Sequence, residues 1–135
     1  MSKKIINKYL KEQFGAEINM EFEIMDNGRV WVGNNLVFGF DINSVVRKGL
    51  YFGFVEKDGL RLSIEGTQLV GPKAKKNIIE LNDVEAEEWL RGYALEKKAQ
   101  KGYVLLRYKN HFLGCGKSNG ERIWNNVPKE RRIRM

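Results

Sequence analysis

Apolar positions follow a helical period at the start of the chain and an alternating one soon after. From Lys3 to Phe14, Ile5, Ile6, Tyr9, Leu10 and Phe14 share one face, with Ser2 placed to cap the helix and Gly15 to stop it. The spacing predicts an amphipathic helix docked on the protein's own core rather than on a membrane. The run "EFEIMDNGRVWVGN" (21–34) alternates on either side of Asn27-Gly28, a hairpin pattern. A further apolar run, "LVFGF", occupies 36–40, and "GLYFGFVEKDGLRLS" (49–63) predicts a second hairpin around Lys57-Asp58-Gly59. Ser63 starts a short helix over "IEGTQLVG" that stops near Gly71-Pro72, and "KAKK" (73–76) reads as an exposed loop. After the short strand "NIIEL" (77–81), Asn82 and Glu85 form a capping box for "DVEAEEWLR", ended by Gly92. "GYVLLRY" (102–108) and "HFLGCGK" (111–117) read as paired strands. "GERIW" (120–124) is a third, reached through a type I′ turn at Asn119-Gly120.

Short strands at regular spacing with a few small helices predict an α+β domain around a small barrel or a strongly bent sheet. A soft boundary near "DINSVV" (41–46) divides the chain into an N-terminal helix and β-hairpin subdomain, 1–44, and a second domain, 45–135. Trp31, Trp89 and Trp124 are read as core residues. Tyr51 and Phe52 are adjacent on a strand, so one faces in and the other out.

Charge changes the picture more through its distribution than its total of +7. Residues 1–100 carry 15 Lys/Arg and 15 Asp/Glu, whereas residues 101–135 carry 9 Lys/Arg against Glu121 and Glu130. The whole excess therefore sits in the last quarter, which points to a polyanion partner, most simply nucleic acid. The plainer alternative is a basic tail that keeps the chain soluble. Charged residues interrupt the N-terminus early and no long apolar run occurs, so a soluble, cytoplasmic protein with no membrane partner is expected.

Catalytic chemistry is not legible. One cysteine, Cys115, and one histidine, His111, cannot supply a zinc site. Cys115 lies between two glycines in an apolar strand and reads as a buried, inert thiol. Gly116-Lys117-Ser118 ends like a nucleotide-binding loop, but the earlier glycine that such a loop requires is replaced by His111.

Several motifs recur in a telling order. "VVRKGLYFG" is followed by "GLRLSIEGTQL" and "IELNDVEAEEWLRGYAL", then by "KGYVLLRYKNHFLGCGK", "SNGERIW" and "NNVPKERR". Over Val45 to Arg132 this series resembles the PUA-like domain at the C-terminus of RNA cytosine-5 methyltransferases of the Sun type. The segment "YLKEQFGAEINMEFEIMDNGRVWV" resembles what precedes that module in the family. The fold implied is a PUA-like small β-barrel with short helices. The methyltransferase domain, with its S-adenosylmethionine-binding unit and Pro-Cys loop, has no counterpart here. The resemblance therefore implies a non-enzymatic RNA-binding protein without a cofactor, acting on structured rRNA or tRNA in modification or ribosome biogenesis. An RNA methyltransferase or ribosome-assembly factor is the implied protein partner. The alternative is a protein–protein adaptor docking on such an enzyme or factor, which an exposed apolar patch on residues 30–40 would favour.

RNA recognition needs cations for phosphates and flat groups for bases. The candidates are Arg47, Lys48 and Tyr51 at the first strand of the module; Arg107, Lys109 and His111 around the 108–110 turn; Lys117 and Arg122 beside Asn119-Gly120; Asn125 and Asn126 as hydrogen-bonding groups; and Lys129, Arg131 and Arg132 after Pro128. Pro128 biases Val127 towards an extended conformation, which would hold the basic finish in a set direction.

Overall fold

The computed structural model describes residues 2–33, 49–125 and 131–132. The predicted boundary between residues 44 and 45 and the "LVFGF" run at 36–40 lie outside the described residues. Helix α1 (Ser2–Phe14) leads into the hairpin β1 (Glu21–Ile24) and β2 (Arg29–Gly33). Strands β3 (Leu50–Glu56) and β4 (Gly59–Leu62) follow, then helix α2 (Ile64–Val70) and a 3-10 turn over Gly71–Lys73. The rest comprises β5 (Ile78–Glu80), helix α3 (Asp83–Leu90), β6 (Gly102–Tyr108), β7 (His111–Ser118) and β8 (Ile123–Trp124). The architecture is α+β, with two four-stranded sheets ordered β1-β2-β3-β4 and β5-β6-β7-β8.

Helix α1 buries Ile6, Leu10 and Phe14 in the core, one residue per turn, while Ile5 is left 48 % exposed. The expected face was thus one residue too wide: spacing by four selects 6, 10 and 14, and Ile5 lies outside that stripe. The helix is also tied down by polar contacts. Gln13 Nε2 donates to the Leu60 carbonyl at 2.9 Å, and the Leu60 N–H donates to Gln13 Oε1 at 2.8 Å. The Asn7 amide does the same for Ile18, accepting its N–H at 2.7 Å and donating to its carbonyl at 2.9 Å. No described helix is long and apolar enough to cross a membrane.

Both short helices start as the sequence predicts. The Ser63 hydroxyl accepts the Gly66 N–H at 2.9 Å. Asn82 and Glu85 exchange hydrogen bonds of 2.8 and 3.0 Å in a full capping box. Each such cap is worth about 1 kcal/mol.

The second sheet is buried on both faces around β6. Tyr103 and Leu105 belong to the larger core, with α1 and the first sheet, whereas Val104 and Leu106 belong to a smaller core with Trp89 of α3. Alternate residues of a strand point to opposite faces, so a strand between two cores must be apolar at every position, as "YVLL" is. Strand β5 runs parallel to β6 and reaches it through α3, the crossover a parallel pair requires. Trp89 is fully buried beneath β7, where a Cβ on Gly116 would stand 2.7 Å from the indole and 2.6 Å from Ile123. Only glycine fits there.

The turns depart from expectation in an instructive way. The type I′ signature at Asn119-Gly120 does not close a two-residue tip: Ser118 pairs with Ile123, leaving four residues in the loop. The Asn119 side chain accepts the N–H groups of Glu121 and Arg122 at 3.0 and 2.8 Å, so an Asx turn replaces the backbone turn. Gly120 alone has positive φ in this loop, at 105°. The two-residue tip forms instead at Lys109-Asn110, between the paired residues Tyr108 and His111, with φ of 46° and 70°. Positive φ at both central positions is the mark of a type I′ turn.

Candidate nucleic-acid interface

Arg47, Lys48, Asn126 and Lys129 lie outside the described residues. The remaining candidates occupy three places rather than one continuous surface. Tyr51 is in the first sheet, half-buried, with its ring 5.5 Å from that of its cross-strand partner Trp31. Its neighbour Phe52 is fully buried, so the pair divides inward and outward as the alternation requires.

The β6–β7 ribbon carries most of the others at its two ends. His111 and Lys117 are six residues apart on β7, about 20 Å at roughly 3.3 Å per residue. At the turn end, the register shifts between Leu106 and Arg107, leaving Leu113 as the extra residue of β7. Arg107 pairs with Glu80 of β5 and lies 5.6 Å from the Phe112 ring centroid. Lys109 sits 5.2 Å over the Tyr108 ring, and the Tyr108 hydroxyl donates to Asp83 at 2.6 Å. The Tyr108 oxygen, then Asp83, hold the Lys109 pKa above its ordinary value. His111 is exposed beside them.

At the far end, Lys117 pairs with Asp58 at the tip of the β3–β4 hairpin and lies 5.4 Å from the Tyr103 ring centroid. The hydrogen bond and charge of Lys117 keep the Asp58 pKa below the usual carboxylate value. Arg122 pairs with Glu96 and stacks 4.6 Å over the ring of Trp124. Sequence reasoning placed Trp124 in the core; the structure leaves it 47 % exposed. Period-two alternation held the signal, because Arg122 and Trp124 share one face while Ile123 between them is fully buried. A face that carries an arginine is the outer one.

Asn125 and the basic finish behave differently. The Asn125 side chain donates to the carbonyls of Trp89 and Tyr93 at 2.7 and 2.9 Å, anchoring the chain after β8 to the end of α3. Arg131 pairs with Glu65 in the first turn of α2 at 2.8 Å, and Arg132 packs against Gly92. Four candidate cations therefore face carboxylates that sequence reasoning did not connect with them: Glu80, Asp58, Glu96 and Glu65. Exposed pairs of this kind are worth about 0–1 kcal/mol, so a phosphate exchanges for the carboxylate at little cost.

The groups that could do chemistry are held otherwise. Cys115 is buried, and burial pushes its thiol up to about 12. Residues 114–118, which resemble a phosphate loop in sequence, are ordinary strand within β7. Among the described residues no cluster of His, Cys, Asp and Glu could hold a metal ion. A cleft of about 450 Å³ between the end of α1 and the 3-10 turn is lined by Lys11, Glu17, Lys73 and Lys75, all exposed, rather than by convergent buried polar groups. Of the 30–40 apolar patch, Val30 and Val32 are buried, Trp31, read from the sequence as core, is partly exposed beside Tyr51, and residues 34–40 lie outside the described residues.

Comparison with known proteins finds relatives for part of this chain. Residues 76–133 match the family described as the methyltransferase RsmF PUA domain, a segment that contains all of the second sheet. A ribosomal RNA small subunit methyltransferase F of Aeromonas salmonicida is 35 % identical over 86 residues, covering 62 % of this chain and 18 % of the relative. The proteins of the same name from Vibrio cholerae and Vibrio atlanticus are each 25 % identical, over 83 % and 96 % of this chain. The chain spans less than a third of the length of these relatives, at 18 %, 26 % and 29 %. The matched family segment is the PUA domain and not a methyltransferase domain, and the mixed α+β fold is consistent with it. Over residues 76–133, then, the chain matches the PUA domain of RsmF-type methyltransferases, the resemblance that its ordered motifs carry.

Proposed function

We propose that this chain binds structured ribosomal or transfer RNA, through phosphate contacts and shape, and performs no catalytic step within these residues. The observation that carries the reading is a coincidence of position. The basic stretch, residues 101–133 with eight Lys/Arg against Glu121 and Glu130, falls inside the segment that matches the PUA domain, 76–133. Relatives named as ribosomal RNA small subunit methyltransferases favour rRNA as the target and a methyltransferase, or a ribosome-assembly factor, as the protein that works beside it in the cytoplasm. Arg107, Lys109, His111, Lys117, Arg122, Arg131 and Arg132 supply the phosphate contacts, with Arg47, Lys48 and Lys129 as further cations and Asn126 as a hydrogen-bonding group. Tyr51 and Asn125 are assigned supporting roles, since each is engaged with its neighbours in the fold.

The test is binding of labelled transfer RNA, an rRNA helix and matched duplex DNA across a salt series. Preference for one RNA, with affinity falling steeply as salt rises, is expected. Equal, weak binding to RNA and DNA would sink the reading. Arg131→Ala with Arg132→Ala is expected to reduce the salt slope by about one to two, in a protein of unchanged circular dichroism.

A further inference from the structure

A single exposed apolar side chain needs no explanation. Among the described residues, Trp124 differs from Ile5, Met25, Leu50, Val84 and Tyr93, the other exposed large hydrophobic groups, in what surrounds it. Arg122 lies 4.6 Å over its ring, and Glu96 holds that guanidinium through an ion pair. Lys117 is its cross-strand partner, so an ammonium group stands on the same face of the sheet. The indole is thus held by a cation on one side, flanked by a second cation, and still 47 % exposed. Burial of Ile123 on the opposite face of β8 keeps it pointing outward. A flat π surface beside two cations is the combination that takes a base by stacking and its phosphate by charge.

We propose that Trp124 is the stacking surface for an unpaired nucleotide base, with Arg122 fixing the indole and Lys117 meeting the adjacent phosphate. The proposal rests on the RNA-binding reading above and narrows it: the RNA recognised has a bulged or looped-out base beside a helix. A base inside a continuous duplex has both faces covered by its neighbours and offers nothing to the indole.

The experiment compares one RNA hairpin stem carrying a single bulged nucleotide with the same stem fully paired. Wild-type protein is expected to prefer the bulged stem. Trp124→Ala should lose roughly ten-fold in affinity for the bulged stem, the order of one base–aromatic stack, and change little for the paired one. Trp124→Phe keeps a ring and should keep the preference, while losing the tryptophan quenching that the bulged stem causes. Fluorescence is read with and without Trp124→Phe in a Trp31→Phe background, because Trp31 is partly exposed, whereas Trp89, being buried, does not report the base. Wild-type binding with the same bulge preference in Trp124→Ala overturns the stacking assignment alone, as does quenching that survives in Trp124→Phe. Wild-type protein that binds neither stem overturns the RNA reading and this inference with it.

Discussion

The two ends of the β6–β7 ribbon carry similar charge and offer different surfaces. At the Lys109-Asn110 turn the aromatic groups are already employed: Phe112 is buried, and the Tyr108 hydroxyl is committed to Asp83. That end presents cations and the exposed His111 imidazole. At the Asn119 loop an exposed indole joins the cations. The difference teaches that counting Lys and Arg does not distinguish a surface that only attracts RNA from one that reads it. Charge supplies affinity that is indifferent to sequence, and a stacking face adds selectivity for bases that are free.

Removing the support of one end breaks the comparison most severely. Trp89 packs beneath Gly116, and its carbonyl holds Asn125. Trp89→Ala is expected to cost about 3–5 kcal/mol, read from urea unfolding, because nothing can fill the space of a fully buried indole. A loss below about 1 kcal/mol would mean that the smaller core does not support the Trp124 end.

The middle of the ribbon responds to pH. Cys115 has its thiol raised from 9.0 to about 12 by burial. A pKa raised by folding stabilises fully below the unfolded value, and the contribution is lost as pH rises through the folded value. Stability should therefore fall between about pH 9 and 12, by up to about 1.4 kcal/mol per unit. Cys115→Ala should flatten that fall, as measured by denaturation at stepped pH. The thiol should also resist alkylation at neutral pH until the protein unfolds.

The smallest expected effect sharpens the contrast. Arg107→Ala together with Lys109→Ala should weaken binding to every RNA alike and lower the salt slope by about one to two. If that pair instead altered the preference between bulged and paired stems, the turn end would be reading the RNA and the assignment of roles would reverse.

Local rules made much of this legible. The limits of β6 and the Asn82–Glu85 capping box follow from short-range pattern alone, because neighbours in sequence decide them. The order of motifs carried the family. What pattern could not reach depends on tertiary pairing. Asn119-Gly120 has the composition of a tight tip, yet the pairing of Ser118 with Ile123 leaves it in a wider loop. Pairing of Tyr108 with His111 instead forces Lys109 and Asn110 into the left-handed region. The carboxylates opposite Lys117 and Arg131 are 59 and 66 residues away in sequence, beyond any local rule. Trp124 was misplaced because a tryptophan in a strand is more often core, although its alternation with Arg122 pointed outward.

Strand β6 has one further consequence. Because Tyr103 and Leu105 serve one core while Val104 and Leu106 serve the other, neither core can come apart while the other keeps its hold on the strand. The two sheets should melt in a single cooperative step, with the backbone amides of 103–106 exchanging with solvent only through global opening. The strand between the two cationic ends is thereby held from both faces, and it sets the spacing between those ends.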